Sequence, residues 1–422
     1  MTKEHKHVYS NMCWLMVHEA IFTSIGLVDL ACINYISPDA LIGATFAMVL
    51  YNMMFQSHQV FSKALRVVAS RLFGAKDEVG IQSGLMCTTI ITVSIAVLFT
   101  TAYLLFGEQF LTLFSLSPEQ RYQCHIYMMS RLPGYIVFAI TSPIVRSFEA
   151  KGQVAKITKA RFCNFVNLPF SILLMMPLGV FGVGMGSTLT EVVELIVVYL
   201  VFKPKYAKPQ KRYFSDVAKF GASYLPESLI SPITNTILSN LCLIYLSTSV
   251  LVISQLVNKL YDEILSIMYM ITQHAEIVIG REYGAGNKDN LLKEFKLFKH
   301  CYVWVILIHI PITFAFGYVY LALISNVSDI WFAMVLLAAR LLCEVAYYIE
   351  QPARRILYIF GVIKPIMIVR LIGLTVVKLS VLYLALICGA GAFCLPLCYL
   401  ASDLPSAVMN THLLRKKLKE VT

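Results

Sequence analysis

Twelve long apolar runs occupy most of this chain of 422 residues. Each run approaches or exceeds the length of about 20 residues with which an α-helix crosses the hydrocarbon layer of a membrane. The longest polar stretch between runs is the connector at 203–219, which is rich in Lys and Pro. The sequence therefore predicts an all-α polytopic membrane protein with twelve transmembrane helices, over residues 14–36, 40–65, 84–106, 123–147, 158–177, 179–202, 216–246, 249–280, 295–323, 326–353, 360–388 and 392–413.

Composition excludes a water-soluble enzyme. Hydrophobic residues make up 58% of the chain and charged residues 14%, and a soluble globule of this size cannot cover its surface with so few charges. The eleven cysteines are scattered, with no CxxC pair and no spacing typical of a metal site. We expect no disulfide framework, no bound metal and no organic cofactor.

The basic residues alternate between connections. Thirty Lys and Arg residues lie in every second connection or terminus, and the opposite set holds one, Arg121. The positive-inside rule then places both termini in the cytoplasm, and a bacterial inner (plasma) membrane is the expected location. Because the net charge of +11 is spread over seven short segments, no nucleic-acid partner is expected. The thirty include residues at the cytoplasmic ends of spans. The remaining four basic residues lie within predicted spans, away from those ends: Arg131, Lys259, Arg340 and Lys378.

The two halves of the chain resemble each other. At a shift of 210 residues, Arg71, Gly74 and Ala75 align with Arg281, Gly284 and Ala285, each time where a span ends on the cytoplasmic side. We read this Arg-x-x-Gly-Ala element as a helix end in which Gly forms the C-terminal turn. The repeat predicts two six-helix lobes, 1–209 and 210–422, related by a pseudo-two-fold axis along the membrane normal, as in transporters.

An ordered set of motifs in both halves resembles the multidrug and toxic compound extrusion (MATE) family of secondary transporters. The set comprises Val28-Asp29 with Ser37-Pro38-Asp39-Ala40-Leu41, Ser70 to Asp77, Leu225-Pro226, Ser254-Gln255, and Tyr283-Gly284-Ala285-Gly286-Asn287. The resemblance implies an antiporter that exports organic, amphipathic or cationic solutes by alternating access, in exchange for protons or sodium. Its expected partners are a small organic solute and membrane lipids, and we expect a monomer.

Asp29 is the main candidate for cation coupling. It lies about two-thirds of the way through the first span, where a low dielectric favours the neutral form of a carboxyl group, so it could accept and release a proton. It also matches the first-span Asp of the family, whose implied partners fall at Asn167, Ser171, and Ser187 or Thr188. Ser171 replaces a second Asp, which favours a proton over sodium because hard cations need several charged oxygens. The alternative is a structural, hydrogen-bonded Asp.

A second coupling candidate, Glu344, lies in the tenth span. It precedes Arg355 by eleven residues, a spacing that resembles the family's carboxylate in that span, while the family's acidic partner in span seven falls at Thr234. The alternative is an ion pair with Arg340, one helical turn earlier.

Other residues are weaker candidates for a solute cavity. Glu191 and Glu194 are three residues apart on one helix, where two carboxylates can share one proton, or where both can lie near a wet interface. Tyr35, Gln255 and Thr234 complete this set. In the same span, Gly182, Gly184 and Gly186 predict close helix packing and not a nucleotide loop.

Three other classes of function compete with an antiporter. A flippase for a lipid-linked sugar or lipid precursor would favour a cavity rich in Arg and Lys, and only four such residues fall within spans away from the cytoplasmic span ends. A membrane enzyme would need a catalytic constellation at span depth, but His274 and His309 are isolated. A receptor without transport is disfavoured by the two-lobe repeat.

Overall fold

The computed structural model describes residues 3–284, 288–324, 327–360, 362 and 364–421. Over these ranges the chain forms helices joined by short connections and has no β-strand, which confirms the all-α prediction. The chain divides into two compact units, Met1–Leu229 and Ile230–Thr422. The division falls inside one helix, α7 (Lys211–Tyr245), and not in the connector that precedes it.

The first unit is a bundle in which α4 packs against α2, α3 and α6, while α1 packs against α5 and α6. Its helices are α1 (Lys3–Asn34), α2 (Pro38–Gly74), α3 (Glu78–Leu111), α4 (Pro118–Ala150), α5 (Val154–Arg161) and α6 (Asn167–Phe202), with a 3₁₀ turn over Phe162–Val166 between the last two.

A reversal at Gly179 divides α6 into two arms, because its φ of 55° and ψ of −133° are not helical and suit only glycine. Asn167 and Ser187 would be about 30 Å apart along a straight helix, yet Asn167 Nδ2 lies 2.9 Å from Ser187 Oγ. The chain therefore turns back, as the predicted boundary between spans five and six requires. A side chain on Gly182 or Gly186 would collide with the opposite arm, so these glycines allow the arms to touch.

Capping side chains explain where several helices begin. Ser37 Oγ accepts from Ala40 N at 3.0 Å at the start of α2. At the start of α4, Ser117 and Gln120 form a reciprocal capping box, and Pro118 is the first residue of the helix. Such caps satisfy backbone N–H groups that have no partner within the helix.

The connection between α2 and α3 corrects one sequence expectation. Gly74 is the last residue of α2, but Lys76 (φ 58°) and not Gly74 adopts the left-handed conformation of the turn. Asp77 then caps α3 by accepting from Gly80 N at 2.8 Å. The Tyr213 hydroxyl of α7 donates to Asp77 at 2.7 Å, which fastens the start of α7 to this turn.

Among its described residues, the second unit contains the rest of α7 and six further α-helices. These are α8 (Thr248–Gly284), α9 (Lys288–Val319), α10 (Ile330–Ile359), α11 (Lys364–Arg370), α12 (Lys378–Ile387) and α13 (Cys394–Val421). A π-helical segment, Leu371–Val377, joins α11 to α12 in one continuous stretch. Within the unit, α10 packs against α8 and α13, and α12 packs against α13.

Seven helical stretches among the described residues are long and apolar enough to cross a membrane: Pro38–Gly74, Glu78–Leu111, Pro118–Ala150, Val154–Phe202, Lys211–Tyr245, Lys364–Ile387 and Gly391–Lys417. Shorter apolar helices cover Ile25–Asn34, Ile306–Ala322 and Ile330–Cys343. The fourth stretch reverses at Gly179 and so holds two predicted runs, and α8 covers the remaining one. The helices thus match the twelve predicted runs in position.

Candidate functional site

Asp29 lies in the interior of the first unit, with 1% of its surface exposed. Ser187 Oγ donates to it, at 2.9 Å from Oδ1 and 2.7 Å from Oδ2. The Tyr127 hydroxyl donates to Oδ2 at 2.8 Å, and Ser171 Oγ is 3.4 Å from Oδ1. Both oxygens of this carboxyl group therefore have hydrogen-bond donors.

The helix reversal described above builds this cluster. It brings Ser171, on the first arm of α6, beside Gly186, on the second arm, so that the hydroxyls of Ser171 and Ser187 converge on α1. Asn167 donates to Ser187 Oγ at 2.9 Å. We call Asp29, Tyr127, Asn167, Ser171 and Ser187 the Asp29 cluster.

Thr188, the alternative to Ser187, points elsewhere. Its hydroxyl donates to the Ser130 carbonyl oxygen at 2.7 Å and links α6 to α4. Of the two neighbouring hydroxyls, only Ser187 contacts Asp29 among the described contacts.

Glu191 and Glu194 continue the same face of α6, one and two turns beyond Ser187. Glu191 forms an ion pair with Arg131, with 2.8 Å between Oε1 and Nη2. Glu194 pairs with Arg161 at 2.7 Å. Each carboxylate is buried and has its own arginine, so the two do not form a shared acidic site in this structure.

The remaining candidates are not among the described hydrogen-bond partners of Asp29. Tyr35 follows the end of α1 and is 81% exposed. In the second unit, Gln255 Nε2 donates to Ser239 Oγ at 2.6 Å. Thr234 bonds to the carbonyl of Ile230 at 2.7 Å and lies 3.0 Å from the Thr375 hydroxyl. The side chain of Glu344 lies outside the described residues.

A second polar cluster, in the second unit, contains two basic residues predicted to lie within spans. Arg340 lies over the rings of Tyr261 and Tyr399, at 4.1 and 4.4 Å from the centroids, and pairs with Asp262 at 3.2 Å. Lys378 Nζ lies 4.6 Å from the Tyr399 centroid. Cations are attracted to such aromatic faces.

Sequence reasoning did not assign a role to Tyr127, Arg131 or Arg161. The sequence does place the first two together, because Tyr127 and Arg131 are four residues apart and so share one face of span four. Nothing in a single sequence indicates that this face meets Asp29 and Glu191.

Comparisons with known proteins identify the family. The MatE family model matches residues 15–173 and 228–384. A comparison with curated protein sequences finds no match.

Solved structures share the fold at low identity. An outward-facing multidrug resistance MATE family transporter of the MOP superfamily is 14% identical, with a TM-score of 0.86 over 99% of this chain and 96% of that one. A MOP superfamily transporter from Pyrococcus furiosus Vc1, described by a binding pocket of reverse polarity that suggests a different function, is 13% identical, with a TM-score of 0.85 over 99% and 96%. The eukaryotic MATE transporter AtDTX14 is 15% identical, with a TM-score of 0.81 over 100% and 99%. This chain belongs to the MatE family of membrane transporters.

Proposed function

We propose that this protein is a secondary active antiporter that exports organic solutes by alternating access, in exchange for protons or sodium. The observation that carries the proposal is a carboxyl group, that of Asp29, buried in a membrane helix and surrounded by hydroxyl groups from two other helices. Ionisable groups at membrane depth are costly, and they mark ion and solute pathways.

The cluster is suited to hold a proton because its hydrogen bonds can reverse. Asn167 donates to Ser187, and Ser187 donates to Asp29. A proton on Asp29 would turn its acceptor oxygen into a donor toward Ser187 Oγ, and the Ser187 hydroxyl would then donate to Asn167 Oδ1. That oxygen has no hydrogen-bond partner among the described residues. An amide can rotate to present either its oxygen or its nitrogen, so the reversal needs only small movements.

Coupling requires that the proton changes the balance between two states of the protein. The partners of Asp29 come from α4 and from both arms of α6. Arrival of a proton therefore alters the hydrogen bonds that join three helical segments to α1. A change of this kind can favour one packing of the first unit over another.

The expected setting follows from charge and from family. The distribution of Lys and Arg supports a topology with both termini in the cytoplasm, and we propose a bacterial inner membrane as the location. We propose a monomer that carries small amphipathic or cationic organic solutes and needs no cofactor besides the coupling ion. Glu191 and Glu194 are paired with arginines, so the preference for cations rests on the family and not on these two residues.

Transport into liposomes tests this function. The protein is reconstituted, ethidium is supplied as a fluorescent organic cation, and a proton gradient or a sodium gradient is imposed separately. We expect gradient-driven ethidium movement that Asp29→Asn abolishes and Thr188→Val, a nearby change outside the cluster, preserves. Movement that is equal with and without a gradient would contradict antiport.

A second candidate function is movement of an anionic lipid across the membrane. Arg340 and Lys378 favour it, because both lie on the ring of Tyr399 within a membrane bundle and would attract a phosphate group. The liposome experiment can include fluorescent phosphatidylglycerol, with dithionite quenching of the outer leaflet. Exchange of the lipid that is faster than in liposomes without protein would favour this candidate over ethidium export, provided that an Arg340→Gln/Lys378→Gln double variant loses this acceleration.

A further inference from the structure

The Arg131–Glu191 pair lies next to the Asp29 cluster. Arg131 is one helical turn beyond Tyr127 on α4, and Glu191 is one turn beyond Ser187 on α6, where a turn rises about 5.4 Å. Tyr127 and Ser187 both bond to Asp29, so the two helices deliver the ion pair to the same region. The guanidinium is close enough to attract the Asp29 carboxylate electrostatically.

Packing holds this pair in place. The Arg131 guanidinium lies over the ring of Tyr51, 4.7 Å from its centroid, and the Tyr51 hydroxyl is 3.5 Å from Glu191 Oε1. Glu191 Oε2 lies against Gly134, where any side chain would collide with it. Both charged residues are less than 10% exposed, so this cation is built into the fold, and arginine stays protonated at any working pH.

By its oxygen atoms alone, the Asp29 cluster resembles a metal-cation site. Asp29 supplies two carboxylate oxygens, and Tyr127, Ser171 and Ser187 supply hydroxyls around it. Hard cations bind where several oxygens carry enough negative charge. Glu191 would add a second carboxylate nearby, but its charge is paired with Arg131.

We propose that Arg131 is a specificity-determining residue: it is a resident cation, paired with Glu191 one helical turn from the residues that bond to Asp29, and it prevents sodium from binding at the Asp29 cluster while leaving protonation possible. A unit charge several ångströms away changes the affinity for a monovalent cation by about tenfold or more at an intermediate dielectric. A carboxyl group binds protons far more tightly than it binds sodium. The same repulsion therefore makes the affinity for sodium too low for binding, whereas the affinity for a proton remains high enough for the carboxyl group to be protonated.

The described ionisable groups that face this region come from four helices: Asp29 and Cys32 of α1, Tyr51 of α2, Tyr127 and Arg131 of α4, and Glu191 with the neighbouring Glu194 of α6. With ionised carboxylates, Asp29, Glu191 and Arg131 carry one net negative charge. Arg131→Gln would raise this to two, and Arg131→Gln/Glu191→Gln would return it to one.

This charge series defines the test, which is equilibrium binding of radioactive sodium to the purified protein at constant ionic strength. We expect Arg131→Gln to bind sodium at least about tenfold more tightly than wild type. Arg131→Lys, which keeps a cation, and the Arg131→Gln/Glu191→Gln double variant should not gain this binding. Adding Asp29→Asn to Arg131→Gln should remove the gain and so locate the site.

Arg131→His serves as a second variant, in case Arg131→Gln fails to fold. Arg131→His should bind sodium more tightly at pH 8.5 than at pH 6, where the imidazole is charged. The ratio of its sodium affinities at the two pH values should exceed the same ratio for wild type. Sodium binding by wild type that Asp29→Asn abolishes would overturn the proposal, as would variants that bind sodium no better than wild type.

Only the effect of Arg131 on transport rests on the proposed function. The sodium-binding measurements do not rest on it, because they involve no transport. A wild-type protein that shows no gradient-driven transport would contradict the proposed function, while the binding series would still decide the role of Arg131.

Discussion

The Tyr127 hydroxyl donates a hydrogen bond to Asp29 Oδ2 at 2.8 Å, and both residues are at least 98% buried. The contact joins α4 to α1 at the centre of the first unit. It also links the polar face of α4, which continues to Arg131, with the carboxyl group that we propose as the proton carrier. Tyr127 is thus a positioning residue for Asp29.

Tyr127→Phe should slow gradient-driven transport by about tenfold or more, because a hydrogen bond to a charged group contributes about 1.5–3 kcal/mol. The measurement is proton-driven ethidium movement in liposomes. Tyr135→Phe is the matched control, since Tyr135 is also buried on α4 but donates to the Met54 carbonyl oxygen. Equal loss in both variants would indicate a general effect of losing a buried hydroxyl.

Arg161→Gln should destabilise the protein by about 3–5 kcal/mol, because it leaves the buried carboxylate of Glu194 without its ionic partner. The pair is separated by 2.7 Å, and Asn164 also donates to Glu194, at 2.8 Å. Thermal unfolding in detergent measures the loss. The Arg161→Gln/Glu194→Gln double variant should recover part of it, and a double variant less stable than the single one would refute the assigned pairing.

Gly179→Ala should reduce stability by about 1–3 kcal/mol, because the backbone at this reversal has a conformation that other residues rarely adopt. No described atom lies within 4 Å of the position a methyl group would take, so the effect would come from the backbone alone. Gly84→Ala is the control. That glycine lies inside α3, where a methyl group would meet only the Leu65 side chain, at 3.3 Å, and we expect a change below about 1 kcal/mol. Unfolding midpoints of the two variants give the comparison.

Acid should weaken the turn at Asp77. The Tyr213 hydroxyl, and then the Gly80 N–H, hold the pKa of Asp77 below its usual value. A lowered folded-state pKa means that the stabilisation is complete above about pH 4, the value for an unfolded aspartate, and is lost as the pH falls through the folded-state pKa.

Comparing variants across pH tests this. Asp77→Ala, which removes the α3 cap, should cost about 1 kcal/mol at pH 7, and the difference from wild type should shrink in acid. Asp77→Asn keeps a capping oxygen and should lose the pH dependence while retaining most of the stability. An Asp77→Ala deficit that stays constant from pH 7 to pH 3 would contradict the expectation.

Much of the fold could be predicted because hydrophobic length alone specifies a membrane helix. The twelve apolar runs coincide with helices, and the boundary between the fifth and sixth falls at Gly179. The turn after α2 was predicted less well. A glycine at a helix end is the usual left-handed residue, but here Lys76 takes that conformation, and a sequence pattern cannot distinguish neighbouring turn residues.

The candidate site could be predicted from the sequence only in part. Asp29, Asn167, Ser171 and Ser187 were selected together by resemblance to a family, and the structure brings them into one cluster. The arginine partners of Glu191 and Glu194 were not anticipated, because contacts between residues 60 and 33 positions apart depend on how helices pack. Periodicity identifies a face of a helix but not the neighbour it meets.

In the function proposed above, Asp29 carries the proton that is exchanged against solute. The most direct measurement is proton release on addition of ethidium to the purified protein in weakly buffered detergent solution, followed with a pH-indicator dye. We predict that wild type releases protons on binding and that Asp29→Asn binds ethidium without releasing any. Undiminished release from Asp29→Asn would contradict the account, because the exchanged proton would then come from another group.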